Sequence, residues 1–185
     1  MDGLICILQL LHRVRSKVGA VKLIATCMNR NIYYSHARMP GNLPDDLELP
    51  PPHFTCAVFL HSVDWDKARL ANLLERLIEG GCVYFAFHGN RCEEAHDLAD
   101  EVALQNEAYN LDENPDSVIM TTWHENESIN DVLSDFLQSA WPAADYDSTF
   151  SSCVILSFGT AEDDTNIQAL LANPETIIEN SALEE

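Results

Sequence analysis

The chain has 185 residues and 20.7 kDa, which fits one ordinary domain, and its 46% hydrophobic and 22% charged residues belong to a chain able to bury a core, so wholesale disorder is excluded. Ten basic against 30 acidic side chains give a net charge of -20, which opposes direct binding to nucleic acid or anionic lipid. No apolar run approaches the roughly 20 residues that cross a bilayer, and the six cysteines form no CxxC pair, so we expect a reduced, cytoplasmic protein without a membrane span.

The charge is unevenly placed. Residues 1–50 hold six basic and four acidic side chains, so the remainder carries -22. After Arg91 there is no Lys or Arg, although 22 Asp and Glu follow.

Residues 1–27 read as an N-terminal extension. The apolar run Leu4 to Leu11 precedes His12, Arg13, Arg15 and Lys17. A secretory signal has the opposite order, with its charge before the apolar stretch. Two readings stay open: an amphipathic helix that docks on a surface or partner, or a dispensable extension ahead of Met28. Residues 28–55 form a proline-rich lead-in, with five of the eight prolines between 40 and 52. That spacing forbids a helix and favours a stiff, extended connector, or a ligand for an adaptor domain.

The segment 56–160 alternates strands with helices. Cys56 to His61 predicts a strand, and Asp64 caps a helix carrying Leu70, Leu73, Leu74, Leu77 and Ile78 until Gly80 and Gly81 stop it. A second strand spans Cys82 to Phe87, and a helix with a weaker apolar face runs from Cys92 to Tyr109. Ser117 to Trp123 is the third strand. Ser128 with Asp131 then opens a helix whose Ile129, Val132, Leu133, Phe136 and Leu137 share one face, halted by Pro142. The fourth strand is Cys153 to Phe158, and 161–185 reads as an acidic helical segment or tail.

Strands that are apolar throughout are buried on both faces, and their alternation with helices predicts parallel βαβ units. The expected fold is an α/β three-layer sandwich with a four-stranded, mostly parallel sheet. A flavodoxin-like strand order of 2-1-3-4 is the first expectation and a Rossmann-like order the second.

Ligands of open α/β sheets bind beyond the carboxyl ends of the strands. The four ends carry His61 and Ser62; His88 and Gly89; Trp123, His124 and Glu125; and Ser157, Phe158, Gly159 and Thr160. In a 2-1-3-4 order His61, His88 and His124 lie on neighbouring strands and suit a metal such as zinc, with Glu125 or Asp64 as a further ligand or base. The plainer alternative is that these groups only satisfy backbone ends, since no HExxH spacing is present.

Cys92 falls at a helix start, where amide dipoles favour a thiolate, and His88 or His96 lies within reach as a base. Glu93 and Glu94 oppose that ionisation. Cys56, Cys82 and Cys153 sit inside apolar strands and read as core residues. There is no GxGxxG after the first strand, no GxxxxGK[ST] and no GxSxG. The cofactor is therefore left unknown. Trp65, Trp123 and Trp141 each flank an element end, positions that serve either packing or an interface.

The stretch with Gly81-Cys82-Val83-Tyr84, then His88-Gly89 before Cys92, then the run Met120 to Glu127 (MTTWHENE), resembles a family of small uncharacterised bacterial proteins known as a domain of unknown function. The likeness spans roughly Cys56 to Phe158 and implies a compact bacterial α/β domain without a defined activity. His88 stands where that family tends to have Trp, which shifts weight from a three-histidine site to His124 and Glu125.

The leading functional expectation is a non-catalytic interaction or regulatory module whose acidic surface binds a basic protein partner, as an inhibitor or a mimic of nucleic-acid charge would. The alternative is a small enzyme or a ligand- or metal-binding domain using His61, His124, Glu125 and Cys92 at the sheet's carboxyl edge. A third explanation is that the acidity serves solubility or high salt.

Overall fold

The computed structural model describes residues 20–61, 64–106 and 118–181. The apolar run at Leu4, Ser62, Ser117, Tyr109 and the last four residues lie outside the described residues.

The sheet begins earlier than the sequence reading places it. β1 (Lys22–Cys27) and β2 (Arg30–Ala37) form an antiparallel hairpin. Its two-residue turn holds Met28 and Asn29 at φ 49° and 61°, the left-handed pairing that matches strand twist. The lead-in continues through a 3-10 turn at Pro40–Asn42 into β3 (His53–Leu60). Then follow α1 (Lys67–Glu79), β4 (Cys82–Gly89), α2 (Cys92–Gln105), β5 (Met120–His124) and α3 (Ile129–Ser139). A 3-10 turn at Ala144–Tyr146 leads to β6 (Phe150–Phe158), α4 (Ala161–Leu171) and α5 (Pro174–Ser181).

Local signals account for the helix starts. Asp66, and not Asp64, caps α1 by accepting from the Arg69 amide at 3.0 Å. Ser128 caps α3 by accepting from the Asp131 amide at 3.1 Å. The full reciprocal box lies at α4, where Thr160 accepts from the Asp163 amide and the Asp163 carboxylate accepts from the Thr160 amide. At the end of β4, Gly89 sits at φ +100°, and a Cβ there would lie 2.6 Å from the Leu60 carbonyl oxygen. Only glycine fits that turn without strain.

The fold is α/β, but the sheet is mixed and six-stranded, in the order β1-β2-β6-β3-β4-β5. This corrects the four-stranded expectation. β1 is the antiparallel member, and β2, β6, β3, β4 and β5 run parallel. The four strands read from the sequence stand in the order β5-β4-β3-β6, which is the Rossmann-like 3-2-1-4 and not the flavodoxin-like 2-1-3-4. From β3 the chain winds outward through β4 to β5, then crosses back through α3 to place β6 on the other side of β3.

Two helical layers cover the sheet. Leu70, Leu73, Leu74 and Leu77 of α1 and Ala95 and Leu98 of α2 pack on Cys56, Val58, Phe85, Phe87, Val154 and Leu156. On the opposite face Val132, Leu133 and Phe136 of α3, Ile167 of α4 and Ile177 of α5 pack on Ala57, Phe59, Ala86 and Ile155. Such two-sided burial is why the inner strands are apolar throughout. Among the described residues no helix is long and apolar enough to cross a membrane.

Candidate functional site at the carboxyl edge of the sheet

Strand register sets the site. His36 of β2, Ser157 of β6, Phe59 of β3, His88 of β4 and His124 of β5 are successive cross-strand partners in one rung near the carboxyl ends. Alternation along a strand gives them a common face, the one covered by α3 and α4. His61, two residues beyond Phe59, projects on the same side.

The winding reverses between β3 and β6, the place where open α/β sheets leave a crevice. His61 Nε2 lies 3.1 Å from Ser157 Oγ, and His61 Nδ1 lies 3.6 Å from Asp163 Oδ1 at the start of α4. The carboxylate favours the tautomer with its proton on Nδ1, which leaves Nε2 to accept from the Ser157 hydroxyl. His36 Nδ1 approaches the same hydroxyl at 3.4 Å. Two residues before His36 on β2, the Tyr34 hydroxyl donates to Asp164 at 2.8 Å. Gly159 permits this packing, because a Cβ there would lie 2.5 Å from Asp163 Oδ2 and 3.1 Å from His61 Cβ.

The electrostatics follow from burial. Desolvation pulls the His61 pKa down and outweighs the pull of Asp163 in the other direction, so the ring is neutral at pH 7. Burial pushes the Asp163 carboxyl up, but the Thr160 amide and hydroxyl, with His61 and His36, bring it below its ordinary value. Burial and the Asp164 carboxylate raise the Tyr34 phenol strongly. A serine, a neutral histidine and an ionised aspartate thus form a chain with the partner roles of a hydrolytic triad. Ser157 is 0% exposed and the His61 side chain 6%, so the chain is sealed against direct attack on a substrate. Beside it opens a cleft of about 600 Å³ lined by His36, Arg38, Met39, Asp64, Gly159, Thr160 and Ala161.

The other sequence-predicted residues have partners of their own. His61, His88 and His124 occupy three neighbouring strands, but the Phe59 ring stands between the first two, with centroids 6.1 Å from His61 and 5.4 Å from His88. His88 Nε2 donates to the Glu127 carbonyl at 3.0 Å, while its buried Nδ1 has no partner. His124 Nδ1 pairs with Glu127 Oε2 at 3.1 Å, and its Nε2 lies 4.0 Å from Asp135. Among the described residues no three His, Cys, Asp or Glu side chains gather closely enough to hold a metal ion.

Cys92 is buried beneath the His124 carbonyl, with Sγ 3.8 Å from that oxygen, and burial pushes its thiol up, away from a thiolate. The proposed base His96 is turned to Asp97, Thr121 and the Trp123 ring. Glu125 is exposed, and its charge also opposes Cys92 ionisation. Sequence reasoning missed His36, Asp163, Glu127 and Asp135. Glu127 lay three residues from His124, but His36 is joined to the site by strand order, and Asp135 and Asp163 by the packing of α3 and α4 on the sheet.

The fold and this edge define a class: an open α/β domain of Rossmann-like strand order with a polar, largely sealed carboxyl edge. Within it, the chain belongs to the family described as Domain of unknown function (DUF7684), whose profile matches residues 32–174. No curated protein matches the chain in sequence.

Proposed function

We propose that this chain is an acidic, non-catalytic interaction module that binds a basic protein partner, in a reducing cytoplasmic setting. The observation that carries this reading is the unequal placement of charge. None of the described carboxylate side chains is buried, so the acidic excess faces solvent. Several cations are meanwhile consumed inside the chain. Arg30 is buried against Trp141 and Phe150 and donates to the Leu137 carbonyl. Arg76 donates to the Pro44 carbonyl, and Arg91 pairs with Glu94 at 2.6 Å over the Trp65 ring. Such a field steers cationic partners and repels nucleic acid. The five described cysteines are free and buried, in keeping with a reducing compartment. The test is the affinity of the full chain for a lysine-rich peptide across a salt series. A steep fall with salt supports the reading; no binding at low salt, or salt-insensitive binding, removes it.

A second reading, a small-ligand site at the β3/β6 crevice, is favoured by the buried His61 and Ser157 pair beside the cleft. Native mass spectrometry of the full chain tests it. A bound small molecule that is lost in His61→Ala supports the site, and a bare chain argues against it.

A further inference from the structure

The two edges of the sheet differ. β1 carries Lys22 and a register shift between Leu23 and Ala25, devices that blunt an edge against strand addition. β5 has neither: its five residues MTTWH contain no Lys, Arg or Pro, and its pairing with β4 is regular. Among the described residues no strand pairs with its other side. Trp123 is 45% exposed there on the face of α2, and Met120, of opposite parity in the strand, is exposed on the other face. An exposed tryptophan on an unblunted edge is the kind of anchor that interfaces use.

The flank of this edge is acidic. The Trp123 ring packs on His96 of α2 with centroids 4.5 Å apart. His96 Nδ1 lies 3.2 Å from Asp97, and its Nε2 lies 3.9 Å from Asp100. Asp100 also accepts from the Thr121 hydroxyl at 2.7 Å, which ties α2 to the strand. Glu125 follows at the strand's end.

We propose that the β5 edge with the outer face of α2 docks an extended, lysine- or arginine-bearing segment of the partner, which adds a strand beside β5 and lays a cation over Trp123. This rests on the acidic-module reading and names its surface. Main-chain hydrogen bonds supply affinity in such strand addition, and alternate side chains supply specificity. A residue of the added strand opposite Trp123 stands about 5 Å from it between Cβ atoms, within reach of the ring face and of Asp97. A second copy of this chain is a poor occupant, because it brings another -20 to the same surface.

The probe is a labelled nonapeptide of alternating lysine and valine, with a second version N-methylated at alternate residues so that it cannot complete strand pairing. Binding to the full chain is read by fluorescence anisotropy at near-physiological salt. The proposal expects Trp123→Ala, and separately D97N with D100N, to weaken binding about tenfold. Trp123→Phe should retain most of the affinity, D145N with D147N should change it less than twofold, and N-methylation should abolish it. Equal weakening by both aspartate pairs, with N-methylation tolerated, overturns the edge site while leaving the acidic-module reading standing. No binding by the wild type even at low salt overturns both. A salt-resistant dimer that Trp123→Ala dissolves gives the edge to a second copy and overturns the basic-partner assignment.

Discussion

His61 Nε2 lies 3.1 Å from Ser157 Oγ, a contact that joins the ends of β3 and β6 at the point where the sheet's winding reverses. Both groups are sealed beneath α4, and the burial of His61 there contributes to how the fold responds to acid.

Because burial holds the His61 pKa below its ordinary value of about 6.5, the unfolded chain takes up a proton there first as the pH falls. Stability is therefore fully present above about pH 6.5 and declines as the pH falls through that value toward the lower folded pKa. Asp163, whose folded pKa is also lowered, contributes stability above its unfolded pKa of about 3.9, which is lost as the pH falls further through the folded value. Urea midpoints measured from pH 8 to pH 4 should fall for the wild type. In His61→Asn the decline near pH 6 should shrink, and an unchanged pH profile in that variant would contradict the assignment.

Five cysteines, Cys27, Cys56, Cys82, Cys92 and Cys153, are free and buried. Burial raises the Cys92 thiol despite its place at the start of α2. A thiol reagent should therefore label Cys92 in the native chain far more slowly than in urea, with peptide mapping to identify the site. Rapid labelling of Cys92 at neutral pH would restore it as a nucleophile.

Phe136 of α3 is 1% exposed and fills the face opposite α1 and α2. Phe136→Ala should cost about 3–5 kcal/mol. Leu104→Ala, at a solvent-facing position of α2, should stay within about 0.5 kcal/mol. Urea unfolding of both variants checks the contrast.

The helix α3 is legible from sequence because Val132, Leu133, Phe136 and Leu137 repeat at helical spacing behind a serine cap. β1 and β2 are not, since Lys22 and Thr26 leave only a three-residue apolar run in β1, and Arg30, Asn31 and His36 interrupt β2. The Arg30 guanidinium is accommodated by Trp141, Phe150 and the Leu137 carbonyl, all more than a hundred residues away in sequence. The strand ends that carry chemistry could be named from sequence, but their neighbours could not. His61 meets Ser157 across 96 residues because β6 returns beside β3, and local periodicity holds no information about that crossover. The two expected strand orders differ in where the third strand, β5, sits: placed outside β4, it leaves the flank of β3 open to β6. For the same reason His36 and Asp163 carry no signal as site residues until the sheet is assembled.

Binding of a basic partner at the β5 edge of the acidic exterior is tested most directly by an amide NMR titration of the full chain with the alternating lysine and valine peptide at about 150 mM salt. Docking there gives saturable shifts concentrated on β5 and α2, led by the Trp123 indole signal and fading as salt rises. Shifts spread evenly over the acidic surface, or confined to the cleft at His36 and Thr160, would contradict it.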